Sequence, residues 1–459
     1  MPDVFPFTEQ QNIETKYKEF VSAGISFVET KYEHVPKYLG IFNGWTSYYI
    51  GAAWLTEDED KSNADAVIVT PKKIGEKEEH ETDFIELFLC ALKFAPSAEY
   101  FAKFYGIDFN QPQIKTDAFS EQITPMLIVH YLWCLRQVVS RGLKKDYVVR
   151  EENLKSKVRG RIMMQKNLQK NIFPQRMDRV YCKFQEYTVD IPENRLLKKG
   201  LVFSENYLNS LIRLNYHGSL GELKRQLSLV KSAFSQVSDD IEVHEIKTFR
   251  KNKLFKEYSE AIKIAKMILQ RFDYSISKSN NQQQKVPPFW IDMSRLFEVY
   301  VYSKLYEAYG DNVKFQVQGS LRTVADFVKI DEKIILDAKY KTRYQKKNSA
   351  LLEDIRELSG YARDNKILKT MEIEKGDEKV VECVIIYPEH VKIDIPDGNN
   401  LDNEERKEIE KNNNESQTEI CFGEPILDLV KNHEIPGFRK FYKICVKLPV
   451  RDIMHSPNV

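Results

Sequence analysis

The chain has 459 residues, 42% of them hydrophobic, with 69 basic and 68 acidic side chains and a formal net charge of +1. That length exceeds one ordinary core and implies two or three domains, while the balanced charge excludes a global attraction to nucleic acid, so any DNA contact must come from local patches or through a partner. No apolar run approaches a membrane span, and the opening MPDVFPFTEQQ lacks the basic start and apolar core of a signal peptide, so no membrane association and a cytoplasmic location are expected.

Residues 1–115 mix strands with one helix. TSYYIGAAWL (Thr46–Leu55) and ADAVIVTPKK (Ala64–Lys73) read as strands on either side of an acidic polar loop. A helix from about Asp83 carries Phe84, Leu87, Phe88 and Leu92 at helical spacing, and Pro96 limits it. These strands carry no catalytic cluster, so a binding or docking role is expected for this β-rich domain.

From 116 to 275 the pattern is helical. Met126–Val139 is apolar almost all round, as a buried helix should be, with Gly142 placed to end it and His130 read as a core histidine. In VRGRI, Arg159 and Arg161 flank a glycine that lets a backbone approach closely; a phosphate or partner contact and a structural role both fit. Asp190 is a candidate cap for a helix entered at Pro192. Further helices are expected around 220–237 and 255–272. Residues 276–288, polar and closing on Pro287-Pro288, read as a linker, and 397–419 as a mobile insertion. Six dispersed cysteines form no CxxC pair and the histidines no HExxH, which speaks for buried thiols over zinc or disulfides.

The chemistry concentrates in residues 289–459. A helix from about Asp292 or Ser294 to Tyr309, stopped by Gly310, puts Val301, Tyr302, Leu305, Ala308 and Tyr309 on an apolar face and Ser303, Lys304 and Glu307 opposite. Glu298 falls within the apolar face, where an acid is costly unless paired or bound to metal. A strand over 314–321 precedes VADFVKIDEKIILDAKYK (Val324–Lys341), which reads as a hairpin turning at Asp331-Glu332. Pairing Ile330 with Lys333 sets Asp326 opposite Asp337, and Lys339 shares that face; a turn at Glu332-Lys333 would instead oppose Asp326 to Lys339. Facing carboxylates repel unless something positive lies between them, and Mg²⁺, a hard ion that keeps its waters, suits that place. An exposed hairpin with scattered charges is the bland alternative.

The basic run after the hairpin, including Lys341 and Arg343, fits phosphate contact or a solvated loop equally. A helix over 349–364 is expected to bury Leu351, Leu352, Ile355, Leu358 and Ala362, leaving Asp354, Glu357 and Tyr361 on a flank that could border the cleft. A nearly continuous apolar strand follows over 378–388, and the order describes a mixed α/β sheet with helices against it.

That order, with Glu298, Asp326 and Asp337-Ala338-Lys339, resembles the PD-(D/E)xK nuclease superfamily. More closely, the chain resembles the McrC family, the nuclease subunits of McrBC-type restriction systems, including LlaJI-like and BsuMI-like relatives. IVTPKK, FIELFLCALKFA, the segment from Gly142 to Tyr147, VRGRI, EYTVDIPENRLLK and LFEVYV carry the likeness in order over most of the chain. The resemblance implies a multidomain α+β protein: a β-rich N-terminal partner-docking domain, a helical middle region and a C-terminal α/β restriction-endonuclease-like domain. It implies Asp326, Asp337 and the Ala338 carbonyl as metal ligands, Lys339 as the catalytic lysine, and Glu298 as the helix acid near the metal. Glu357 stands where the family usually has glutamine in DIRELSGYA, and Ala325 replaces the proline of the superfamily name. It further implies Mg²⁺ (or Mn²⁺), double-stranded DNA as substrate, and an McrB-type AAA+ GTPase hexamer as partner, contacted and stimulated by the N-terminal region. GTP would be bound by that partner, consistent with the absence here of GxxxxGK[ST].

Overall fold

The structure, a computed structural model, describes residues 4–22, 37–41, 44–56, 64–74, 80–94, 103–108, 111–116, 123–213, 220–241, 256–276, 285–341, 352–374, 380–388, 422–431 and 433–452. They form a mixed α/β protein in two units, 1–122 together with 283–459, and 123–282. The first unit begins with strands β1 (Val4–Thr8), β2 (Tyr49–Trp54) and β3 (Ala66–Thr70), helix α1 (Phe84–Phe94) and strand β4 (Tyr105–Ile107). Strands β2 and β3 lie within the two expected segments. In β3 four of five residues are buried, as the unbroken run AVIV requires of a strand covered on both faces.

The second unit holds helix α2 (Ile123–Ser140), strands β5 (Asp146–Lys155), β6 (Arg161–Ile162) and β7 (Arg179–Thr188), and helices α3 (Pro192–Arg213), α4 (Leu220–Lys231) and α5 (Lys256–Ile276). Helix α2 packs on α3, α4 and α5, which accounts for its all-round apolar sequence, and Gly142 (φ 85°) lies just past its end, donating its N–H to the Val139 carbonyl. The three-stranded sheet β5-β7-β6 departs from the helical reading of this region. Strands β5 and β7 are ten residues each, but β5 buries only Leu154 and β6 has just two residues, so the sheet carries little of the apolar alternation that announces a strand. Asp190 does not cap α3 in the expected way. Its carboxylate takes the Arg195 guanidinium at 2.9 and 2.7 Å and the Ser238 N–H at 2.9 Å, while the Ile191 carbonyl receives the Arg195 N–H. Arg159 of VRGRI pairs with Glu186 at 3.1 Å and lies 4.4 Å from the Phe184 ring centre. Gly160 (φ +66°) is required there, because a Cβ would sit 2.5 Å from the Lys183 carbonyl.

The chain then returns to the first unit through strand β8 (Phe289–Asp292), helix α6 (Met293–Tyr309), strands β9 (Val313–Gln318), β10 (Val324–Lys329) and β11 (Ile334–Ala338), helix α7 (Leu352–Tyr361), and strands β12 (Glu382–Pro388) and β13 (Phe441–Val446). Strand β8 begins the stretch read as the C-terminal domain, yet it inserts between β2 and β4 of the N-terminal sheet, whose order is β1-β3-β2-β8-β4. All four of its residues are buried, and this pairing across distant sequence is invisible to local periodicity. Gly51 (φ +144°) makes the approach possible, since any Cβ there would lie 2.1 Å from the Phe289 carbonyl. Within the expected linker, Lys285 and Val286 pair antiparallel with Lys115 and Ile114; 277–284, the expected insertion at 397–419, and Arg343 lie outside the described residues.

The second large sheet runs β9-β10-β11-β12-β13, antiparallel from β9 to β11 and parallel from β11 to β13. Tyr302 of α6 stacks on Phe315 and Phe327, whereas Ile355 and Leu358 of α7 share a core with Val328 and Ile335. Side chains alternate along strands, so α6 and α7 cover opposite faces. Two expectations for these helices change. Ser303 is buried, because α1 also packs on α6, and its hydroxyl donates to the Tyr300 carbonyl at 2.7 Å. Leu352 is exposed whereas Asp354 is buried, since the acidic flank of α7 faces the sheet's lysines.

Candidate active site

Strands β10 and β11 pair Phe327 with Leu336, Val328 with Ile335 and Lys329 with Ile334. The expected pair Ile330/Lys333 belongs instead to the turn, with Lys333 in the left-handed region (φ 59°). The register is unaffected, and continuing it puts Asp326 across from Asp337 on the face that α7 covers. Asp326 Oδ2 accepts the Ala338 N–H at 2.9 Å, which fixes its carboxylate at the end of β11.

Asp337 is buried, and Lys339 Nζ lies 2.8 Å from its Oδ2 as an ion pair without hydrogen-bond alignment. Glu357 Oε2 takes the same ammonium at 3.0 Å, and its Oε1 accepts the Tyr361 hydroxyl at 2.7 Å. Lys341 binds both Asp354 oxygens, at 2.9 and 3.1 Å. The fold therefore gathers Asp326, Asp337, Lys339, Glu357 and Tyr361. Asp354, expected with Glu357 and Tyr361 on the flank that could border the cleft, lies 4.0 Å from Lys339 Nζ.

Glu298 reaches in from α6. That helix starts where Asp292 caps it, accepting the Arg295 N–H at 3.0 Å, and Gly310 (φ 58°) closes it. Glu298 Oε1 accepts from Gln316 Nε2 at 3.1 Å. Burial, reinforced by the charges of Asp337 and Asp292, pushes its carboxyl up to about 7. Burial and the charges of Asp337 and Glu298 likewise raise Asp326 well above the usual carboxylate range. Burial raises Asp337, against the pull of Lys339. Burial disfavours the Lys339 ammonium, but Asp337 and Glu357 outweigh it and hold its pKa above the ordinary lysine range.

Facing carboxylates that resist ionisation are the electrostatic state of a site suited to a cation. Among the described residues no three acidic, histidine or cysteine side chains form a metal cage. Mg²⁺ does not require one: it binds through one or two carboxylates and keeps several waters. Asp326 and Asp337, with the Ala338 carbonyl nearby in sequence, are donors of the right hardness, and a cation there would share Asp337 Oδ2 with the Lys339 ammonium 2.8 Å away.

Among known proteins, the profile of a family described as McrBC 5-methylcytosine restriction system component matches residues 48–364. No curated protein matches the chain. Among solved structures it is similar to a chain of a half-complex from the tetradecameric assembly of Thermococcus gammatolerans McrB AAA+ hexamers with bound McrC, at 14% identity over 97% of this chain and 94% of that one, with a TM-score of 0.38. It is also similar to a chain of the Thermococcus gammatolerans McrBC complex, at 15% identity over 66% of this chain and 88% of that one, with a TM-score of 0.29.

Proposed function

Because the chain belongs to the McrBC 5-methylcytosine restriction system component family, we propose that it is the DNA-cutting subunit of such a system: an endonuclease of PD-(D/E)xK type that works with an McrB-type AAA+ GTPase. The observation that carries this reading is the register of β10 on β11, which opposes Asp326 to Asp337 and leaves Lys339 two residues further on the same face. Asp326, Asp337 and the Ala338 carbonyl would hold Mg²⁺ (or Mn²⁺), with Glu298 behind them. When bound, the ion would supply positive charge to the scissile phosphate and lower the pKa of its water.

The chain's own residues divide the remaining work. Asp337 and Glu357 on either side of Lys339 favour its ammonium form, which suits it to donate to a phosphate oxygen or orient the attacking water. Glu357 and Tyr361 brace the ammonium. Lys341, exposed and clamped to Asp354, presents a positive charge at the rim for the phosphate backbone.

Asp337→Ala and Lys339→Ala are each expected to lower cleavage by about 100-fold or more, assayed on methylated and unmethylated DNA with partner, GTP and Mg²⁺, while the partner's GTP turnover persists. Wild-type cutting by either variant would refute the assignment.

A second, compatible role is stimulation of the partner's GTPase. Tyr147 and Tyr187, exposed and paired at one end of β5 and β7 with ring centres 5.1 Å apart, support it as an apolar surface spot of the kind that meets a partner. They supplement residues 1–115, the stretch expected to dock from sequence.

A further inference from the structure

The described residues hold a buried polar cluster that the nuclease reading does not use. Glu9, directly after β1, is completely buried, and its Oε1 accepts the Tyr340 hydroxyl at 2.8 Å and the Lys72 N–H at 3.2 Å. Its Oε2 is also buried and makes no hydrogen bond. Next to it, Gln10 adopts a left-handed backbone (φ 56°), which turns its amide toward the same target: Nε2 donates to the Tyr340 carbonyl at 3.0 Å, and Oε1 accepts from Lys72 Nζ at 3.2 Å. Tyr340 is thus gripped at its hydroxyl and its carbonyl by consecutive residues some 330 positions earlier in the chain. Burying an acid and a lysine at this junction is costly, and an apolar contact would pack the sheets together without that cost. Polar groups give what an apolar contact does not, a fixed position and direction.

Tyr340 directly follows Lys339. Among the described residues just beyond β11, the Lys339 N–H donates to the Ile386 carbonyl of the sheet at 2.8 Å and the Lys341 N–H to the Lys339 carbonyl at 2.8 Å. The Tyr340 ring also meets Phe297, the residue before Glu298, with centroids 5.6 Å apart. We propose that Glu9 and Gln10 are positioning residues for Lys339: by clamping Tyr340 they set where the lysine sits against Asp337, so that the N-terminal segment completes the cleavage site. This rests on the reading of Lys339 as a cleavage residue.

The test uses the full chain with its GTPase partner, GTP, Mg²⁺ and DNA, and adds hydrogen exchange on the full chain alone. Tyr340→Phe removes the hydroxyl without leaving Glu9 unsatisfied by Lys72, Gln10→Ala removes the second grip, and Glu9→Gln keeps an acceptor for Tyr340. Tyr340→Phe and Gln10→Ala are expected to lower kcat about tenfold with KM held within about twofold, and to speed exchange of the 339–341 amides about tenfold while the rest of the chain keeps its protection. Glu9→Gln is expected to stay near wild type in both readouts. Unchanged exchange at 339–341 in both disruptive variants overturns the proposal, as does loosening spread over the whole unit, which marks a merely structural bond. If the wild type does not cut at all, the nuclease reading fails by itself. The exchange data then decide the clamp, local loosening supporting it and none refuting it.

Discussion

At Lys339 two carboxylates, those of Asp337 and Glu357, share one ammonium, and the second of them, Glu357, also accepts the Tyr361 hydroxyl. Replacing it tests what that charge does. Glu357→Gln keeps a carbonyl oxygen for the Tyr361 hydroxyl but withdraws half of the negative charge facing the lysine. The Lys339 titration, followed by NMR of labelled lysines, is expected to move down toward the ordinary range, with cleavage kept within about tenfold of wild type. An unmoved lysine titration would show that Asp337 alone sets its charge. The central trio was legible in the sequence because strand periodicity and the length of a turn are local rules; shifting Ile330 and Lys333 into the turn left the register intact. The burial of Ser303 and Asp354 and the exposure of Leu352 were not legible, since each depends on which neighbour covers a helix flank, and the sequence of one helix does not contain that.

Among the elements, α2 shows most plainly how burial alone sets a property. His130 is buried in it, and burial, with a smaller contribution from the Lys263 charge, depresses its pKa from 6.5 to about 3. The neutral form is the one the fold accepts, so the stability this residue contributes is fully present above about pH 6.5 and is lost as pH falls toward 3. In that window the loss runs at about 1.4 kcal/mol per pH unit. Glu9 and Glu298, raised to about 7, act in the opposite sense over part of this window, so the His130 contribution is read as the difference in denaturant unfolding free energy between wild type and His130→Leu, which is expected to change by about 1.4 kcal/mol per unit between pH 6 and pH 4; a pH-independent difference would mean His130 does not govern acid unfolding. Helix α2 could be anticipated nearly to its ends because its sequence is apolar on every side. The β5-β7-β6 sheet could not, because β5 buries only Leu154, β6 has just two residues, and the sheet carries little of the alternation by which strands are recognised.

At the scale of the whole molecule, the unit made of 1–122 and 283–459 is discontinuous in sequence, while 123–282 is a single stretch. Strand β8 is bonded on both sides, to β2 and to β4. A fragment starting at Phe289 would expose both edges of this strand together with its buried apolar side chains, and such edges promote aggregation. The fragment 289–459 is therefore expected to be insoluble or non-cooperative on unfolding, and 123–282 to be soluble with one cooperative transition, by calorimetry and analytical ultracentrifugation. A well-folded 289–459 would show that β8 is dispensable. The pairing of β8 with β2 and β4 was not legible because FWID carries no mark of the strands it pairs with, since its partners lie far back in the chain.

Strand β8 runs into α6 with no loop between them. Asp292 ends the strand and caps the helix, and the joint is pinned by bonds from the Asp292 N–H to the Phe104 carbonyl (2.7 Å) and from the Met293 N–H to the Tyr48 carbonyl (3.2 Å). One residue inserted or lost here would swing Glu298 by about 100° around the helix axis, away from Asp326 and Asp337. Length changes in surface loops leave that geometry untouched. From Phe289 to Glu298 the number of residues, as much as their side chains, sets where this acid arrives.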